Sequence, residues 1–575
     1  MTQLDTVIRD GTVVDGTGRP ARRADVGFAD GRIVEVGRVE GRARQEIPAD
    51  GRLVTPGWVD VHTHYDGQVS WDTEMAPSSI HGVTTAIMGN CGVGFAPVRP
   101  DRHAWLVALM EGVEDIPGTA LHEGITWEWE TFPEYLDAVG RVRRTIDVGA
   151  QLPHAALRGY VMGDRGGDHA EHPTASEIAE MGRMVAEAVA AGALGFTTSR
   201  TTAHRSSDGS PTPTLTATRA ELVGIAEAMG RTDAGVFQAV ADFEDLEAEF
   251  AIFRAMVAVS GRPLSMSILQ RPGFPADEYQ RILQLIAAAR ADGLDIHGQV
   301  APRPVGLVLC LEGGVDPLRG SPTYDGLAPL SPGARLAELQ RPEVRARVLH
   351  ELAAAPMEQM EEMLARAFAL ERPARYDQRP DQSIAARATA LGIPPVELAY
   401  DTLVRSDGAG AMYVPVMNFV DGDLRAVRRM LADPHTVPGL GDAGAHCSLI
   451  CDGGFVTHLL SYWGRDAPPE QRFPLEWIVQ RQCAQSAALV GLADRGQLVP
   501  GMRADVNIID LDRLALEPPE ILHDLPAGGK RLVQRATGYE ATFVAGACIA
   551  ARGELTGARP GRLVRGAGNA APAVR

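Results

Sequence analysis

Cysteine is scarce. The 575 residues contain six, Cys91, Cys310, Cys447, Cys451, Cys483 and Cys548, at irregular spacings. That excludes a disulfide framework and points to a reducing cytoplasm. Positive charge is also short: the formal net charge is -19 and the pI about 5.3. An acidic chain is a poor partner for nucleic acid or an anionic membrane, so neither is expected. No apolar run approaches the roughly 20 residues of a membrane helix. The opening MTQLDTVIRDGTVVDGTG has no basic start followed by an apolar run, so no secretory leader is expected. What is present is ordinary for a globular protein, 45% hydrophobic and 22% charged residues. The length exceeds one small domain and predicts a large domain with a smaller one attached.

Both ends of the chain carry β patterns. TVIRDGTVVDG and DVGFADGRIVEVG are short alternating runs broken by Asp-Gly pairs, a hairpin signal. RADVNIIDLDRL and ATFVAGACIAARGEL look alike at the far end. The two ends are therefore expected to meet in one small β domain, residues 1–55 with 497–575. The final GRLVRGAGNAAPAVR is small, polar and basic, a frayed tail or one laid on a neighbour. Between them, residues 56–496, strand-like runs alternate with helical ones. After GWVDVHTHYDG come TTAIMGN, IDVGAQLPH, GALGFTTSR, GVFQAVA, PLSMSILQ, LDIHGQVA, AMYVPVMN and PGLGDAGAH. Thr174 with Glu177, and Thr218 with Glu221, spell capping boxes at two helix starts. PADEYQRILQLIAAARADG is a third helix, ending near a glycine. The repetition implies parallel strands with right-handed crossovers, an α/β fold best satisfied by a closed (β/α)8 TIM barrel. Residues 311–395 break the rhythm and predict a loop and helical insertion over one mouth, a lid.

GWVDVHTHYDG puts His62 and His64 at the end of an apolar run. A strand has period two, so both imidazoles face one side, half of a transition-metal site. The plain alternative is hydrogen bonding in a polar rim. In a parallel barrel, reactive groups gather where strands end. MGNCGVGFAP places Cys91 at such an end, where a thiolate is a zinc ligand able to bridge two metals, or else a buried small hydrophobe. In VPGLGDAGAHCSLICDGG, Asp442 can ligate metal and serve as general base. Hydrolysis by this route needs a metal that lowers the pKa of water toward about 7 and a base that accepts its proton. His446, four residues on, is a candidate to orient substrate. Cys447 and Cys451 are read as packing.

These residues resemble the D-aminoacylase branch of the amidohydrolase superfamily. GWVDVHTHYDGQ, the GNCG strand end, the late aspartate and PGMRADVNIIDLD carry the likeness, which covers nearly the whole chain. EGVEDIPG and HDLPAGGKRLVQRATGY are similar to phrases of long bacterial proteins labelled N-acyl-D-amino-acid deacylases. The resemblance implies a (β/α)8 barrel with a small β-sandwich built from both termini. It implies metal ligands His62, His64, Cys91 and Asp442, with Asp442 also the catalytic base, and a histidine after the third strand, His154.

Two departures from that family stand out. Members usually carry one histidine on each of two middle strands. An ungapped comparison puts these positions near Val240 and Ile268, neither able to ligate, and the lysine that usually follows is absent. One metal per chain is therefore expected, zinc fitting the His, Asp and Cys set best, with manganese or iron the alternatives. No arginine follows Asp442 in the loop that usually holds the substrate carboxylate. Ser199, Arg200, His204 and Arg205 of SRTTAHRSSDG, and Arg303 of QVAPRPVG, are the alternatives, since arginine grips carboxylates with a bidentate fork. The expected function is metal-dependent hydrolysis of an N-acyl amino acid or related small amide, by a cytoplasmic enzyme that pairs as a homo-oligomer. The competing readings are hydrolysis of another bond, such as a cyclic imide, carbamate, ester or C–C bond beside a carbonyl, and a non-catalytic binding barrel.

Overall fold

The computed structural model describes residues 3–354, 358–405 and 410–566. Eight parallel strand segments form its centre, in two sheets. Trp58–Asp60, Val83–Met88 and Asp147–Ala150 pair in that order. Leu152–Pro153, Gly195–Arg200, Val236–Ala241, Leu264–Ile268, Ile296–Val300 and Thr436–Pro438 form the second sheet. Only Gln151 separates Ala150 from Leu152, so one chain segment serves both sheets. Their other edges meet at the parallel bridge between Thr63 and Ala443. Val83–Met88 and Leu264–Ile268 are buried at every position, as strands covered on both faces must be.

Helices separate the strands. Ala175–Ala190 buries Met181, Met184, Val185, Ala188 and Val189, one stripe of a 3.6-residue period. Its capping box forms between Thr174 and Glu177. The second expected box is only half made. The Thr218 side chain accepts from the Glu221 amide, but the Glu221 carboxylate turns inward to Arg158 and His154. A buried arginine needed it more than an exposed helix start did. A further box, Thr131 with Glu134, starts helix Phe132–Arg141.

The sequence offers nine strand-like runs for eight places. The surplus one is AMYVPVMN: Ala411–Met417 pairs antiparallel with Val305–Cys310 and Phe368–Ala369, outside the parallel series. Alternation identifies a strand but not its partner. This small sheet carries helices Pro332–Leu339, Pro342–Ala353, Glu358–Arg366, Ile384–Leu391 and Pro395–Leu403. Leu309, Leu318, Tyr324, Val348, Leu364 and Met412 give them a core of their own. The insertion thus runs on through Met417. Ala355–Met357, which open the helical run APMEQMEEMLARAFAL, lie outside the described residues.

The chain ends do meet. Leu53–Pro56 pairs antiparallel with Val506–Ile509 in a nine-stranded sheet that also holds Leu4–Val13, Arg22–Ala29, Tyr539–Val544 and Ala547–Ala551. Ile8, Val26, Phe28, Val54, Val506 and Phe543 pack within it. Residues 561–566 are laid on a neighbour within the chain: Leu563 bridges to Val148, and the Val564 amide donates to its carbonyl. Residues 567–575 lie outside the described part. All six cysteines are free thiols, and among the described residues no helix is long and apolar enough to cross a membrane.

Candidate active site

His62 and His64 follow strand Trp58–Asp60 and point to the same side. Thr63, between them, turns away and donates its hydroxyl to the Ile87 carbonyl. The backbone is pinned from both flanks: the His64 amide donates to Ala443 and the Asp442 amide to His62. His62 Nε2 stands 3.3 Å from Cys91 Sγ and 3.4 Å from Asp442 Oδ1. His64 Nε2 lies 3.6 Å from the same oxygen. Donor atoms of His62, His64 and Cys91 all fall within 4.8 Å of one another.

The GNCG turn explains how Cys91 gets there. Gly89 has φ 85°, and a Cβ on it would sit 2.1 Å from the Gln151 carbonyl oxygen, so only glycine fits. Asn90 braces the turn, donating to the carbonyls of Thr63 and Ile87 and accepting from the Gln151 side chain. Cys91 itself has φ 54° and Asp442 φ 44°. Left-handed backbone at non-glycine residues costs on the order of 1–3 kcal/mol each and clusters at functional sites.

Three partners of these groups were not foreseen. Gln299 Oε1 lies 2.5 Å from His62 Nδ1, Gln238 Oε1 accepts from the Cys91 amide, and Glu114 Oε1 faces His64 Nδ1 at 3.3 Å. Gln299 was legible in principle, because LDIHGQVA is a strand with the glutamine on its alternating inner face. Glu114 ends a helix far from any strand motif; its one signal was the phrase EGVEDIPG, which speaks for family likeness and assigns no role to the residue.

Burial works against a charge on Asp442, but the nearby His64, with His62 and His446, holds its carboxyl well below the usual range. Burial pushes His62 down to about 4 and the Cys91 thiol up to about 11. Burial also opposes charge on His64, yet the carboxylates of Glu114 and Asp442 raise it well above an ordinary histidine. Asp442 Oδ1 and His64 Nδ1 are buried polar atoms with no hydrogen-bond partner. Two imidazoles, a thiol and an orphaned carboxylate oxygen are donors of the types that zinc accepts, and could together hold such an ion.

A cavity of about 540 Å3 opens over this group, lined by His62, Cys91, Asp442, His204 and His446. Its walls are largely apolar, including Val240, Phe243, Leu269, Ile282, Val416 and Met417. His446 hangs from the end of helix His103–Glu114, its amide donating to the Glu114 carbonyl. His204 Nδ1 is 2.8 Å from Ser199 Oγ, and burial next to His64 and His446 pushes the ring down to about 3. Arg205 reaches the cavity and has no carboxylate partner among the described residues.

The other expected substrate contacts are committed elsewhere. Arg200 is clamped by Glu249 at 2.6 and 2.7 Å. Arg303 is fully buried, 3.0 Å from Asp452 and stacked on Tyr376. His154 is buried between Thr198 and Glu221. None of the three lines the cavity. A buried cation needs a paired carboxylate, and each carboxylate lies far along the chain, invisible to local reading. The middle-strand comparison also shifts by one. Val240 and Ser267 line the cavity, whereas Ile268 packs into the core. Side chains alternate along a strand, so Ser267 holds the inward place.

The D-aminoacylase of Alcaligenes xylosoxydans xylosoxydans is 27% identical over 98% of this chain and 97% of its own. The N-acyl-D-glutamate deacylase of the same organism is 28% identical over 89% and 88%. A crystal structure of N-acyl-D-glutamate deacylase from Bordetella bronchiseptica, complexed with zinc and a phosphonate inhibitor, superposes with a TM-score of 0.63 at 25% identity. It covers 98% of this chain and 100% of that one. The sequence profile of the amidohydrolase family matches residues 45–550, and the chain belongs to that family.

Proposed function

We propose that this amidohydrolase cleaves the amide bond of N-acyl amino acids, using one zinc ion held by His62, His64, Asp442 and Cys91. The observation that carries the reading is the orphaned, ionised Asp442 oxygen facing two imidazoles beneath an apolar cavity. A zinc ion there supplies Lewis acidity to the amide carbonyl and lowers the pKa of water toward about 7. Asp442 takes the proton of the attacking water and returns it to the leaving nitrogen as the C–N bond breaks. The products are a carboxylate and a free amino acid. His204 and His446 flank the carbonyl, Ser199 fixing the ring of the first. Arg205 holds the substrate carboxylate. A second metal is not part of this reading, because Val240 and Ser267 stand where two imidazoles would be needed.

We read the eight parallel segments as a closed (β/α)8 barrel, supported by the Thr63–Ala443 bridge. The barrel spans 56–496 and the β-sandwich domain 1–55 with 497 to about 560, residues 561–566 lying on the barrel at Val148. The insertion, with Val305, Val416 and Met417 on the cavity wall, covers bound substrate. Free thiols throughout support a cytoplasmic setting.

Amine release from a panel of N-acyl D- and L-amino acids tests the reading. The zinc-loaded protein is expected to hydrolyse at least one enantiomeric series, and Asp442→Asn to lose about 10³-fold or more in kcat. Turnover retained in Asp442→Asn overturns it.

A further inference from the structure

Glu114 is the last residue of helix His103–Glu114 and is 2% exposed. A carboxylate so deeply buried is costly unless it is paired. No arginine or lysine pairs with it among the described residues. Its two oxygens face two histidines instead: Oε1 is 3.3 Å from His64 Nδ1 and Oε2 is 3.8 Å from His446 Nε2. The helix end is stapled in place by the loop after Asp442. The amides of His446 and Cys447 donate to the carbonyls of Glu114 and Asp115. The Ser448 amide and hydroxyl donate to the Asp115 carboxylate.

The two nitrogens of His64 are thus divided. Nε2 faces Asp442, and Nδ1 faces Glu114 across the ring. Glu114 is on the wrong side of that ring to ligate a metal shared with Asp442. His62 is arranged alike, with the neutral Gln299 at its Nδ1. A ligating histidine holds its orientation and gains basicity when its other nitrogen donates to a carboxylate.

We propose that Glu114 is a positioning residue of the metal site: facing the otherwise unpartnered Nδ1 of His64 at 3.3 Å, it accepts that N–H when a metal holds Nε2, and with its second oxygen it holds His446 on the substrate wall. This rests on the metal-site reading above. One buried carboxylate then links a ligand at the cavity floor to a side chain on its wall.

Zinc affinity, by chelator competition, and unfolding temperature with and without zinc test this in the full-length protein and in Glu114→Gln. The expected result is zinc binding weakened about 10–100-fold. The stabilisation conferred by saturating zinc then shrinks by about 1.4–2.7 kcal/mol. The unfolding temperature without zinc is expected to be unchanged or higher, since a buried charge is gone. A merely structural role predicts the reverse, lower stability without zinc and intact zinc affinity. Glu114→Asp, which keeps the charge on a shorter arm, is expected to fall between. If Glu114→Gln does not fold, cobalt-loaded wild-type protein decides. Two paramagnetically shifted imidazole N–H signals that persist in water, one for each ligating histidine, are expected, and a single one overturns the role of Glu114. If wild-type protein binds no metal, the site reading falls and this inference with it. If it binds zinc and Glu114→Gln binds as tightly, only the role of Glu114 is overturned.

Discussion

Asp442 owes its position to a left-handed backbone and to the hydrogen bond its amide donates back to His62, so the proposed general base is fixed from the strand that carries the imidazoles. Arg205 is the opposite kind of residue, exposed and free of carboxylate partners among those described. A charged hydrogen bond contributes about 1.5–3 kcal/mol. Arg205→Met is therefore predicted to raise KM for N-acyl amino acids about 10–100-fold while kcat changes little. Steady-state kinetics check it, and an unchanged KM refutes the anchor. At this scale the sequence was informative where chemistry and period coincide. His62, His64, Cys91 and Asp442 were legible because each ends an apolar run. Arg200, Arg303 and His154 misled, because Glu249, Asp452 and Glu221 reach them only through the fold.

Elements decide which side chains meet. Leu264–Ile268 puts Ser267 in the cavity and Ile268 in the core, a one-residue difference that an ungapped comparison could not resolve. The insertion was recognised by its broken rhythm, but its strand Ala411–Met417 was indistinguishable from a barrel strand until its antiparallel partner was known. Packing between elements also stores a pH dependence. His81 is fully buried, bonded to Thr457 Oγ1 and the Gln534 carbonyl, and burial lowers it from 6.5 to about 4. Between those values the unfolded chain binds the proton and the folded chain does not, so stability falls as pH drops from about 6.5 through 4. The ceiling of the effect is about 3 kcal/mol. Chemical denaturation at pH 7 and pH 4.5 is expected to show a smaller loss in His81→Gln than in wild type. An equal loss in both assigns the dependence to other groups.

The whole molecule ties its ends to its centre. The terminal sheet was legible as two β-rich ends, since Asp-Gly pairs punctuate the first and short apolar strand-like runs make up the second. The course of the tail was not, because GRLVRGAG has no strand alternation. Its bonds are nonetheless specific: the Arg562 amide donates to buried Asp147, the Gly566 amide to Gly192, and Val564 packs with Val59, Ile87 and Leu194. Burying a valine contributes about 1.5–3 kcal/mol and each hydrogen bond about 1 kcal/mol. Deleting residues 560–575 is therefore predicted to lower the unfolding temperature measurably in calorimetry. An unaltered temperature contradicts the role given to this segment.

The proposed chemistry depends on a single zinc ion at the strand ends. Elemental mass spectrometry of protein purified without chelator, beside His62→Ala, tests it most directly. About one zinc per wild-type chain is expected, and its loss from the variant. Two metals per chain, or none in folded protein that zinc does not activate, would contradict it.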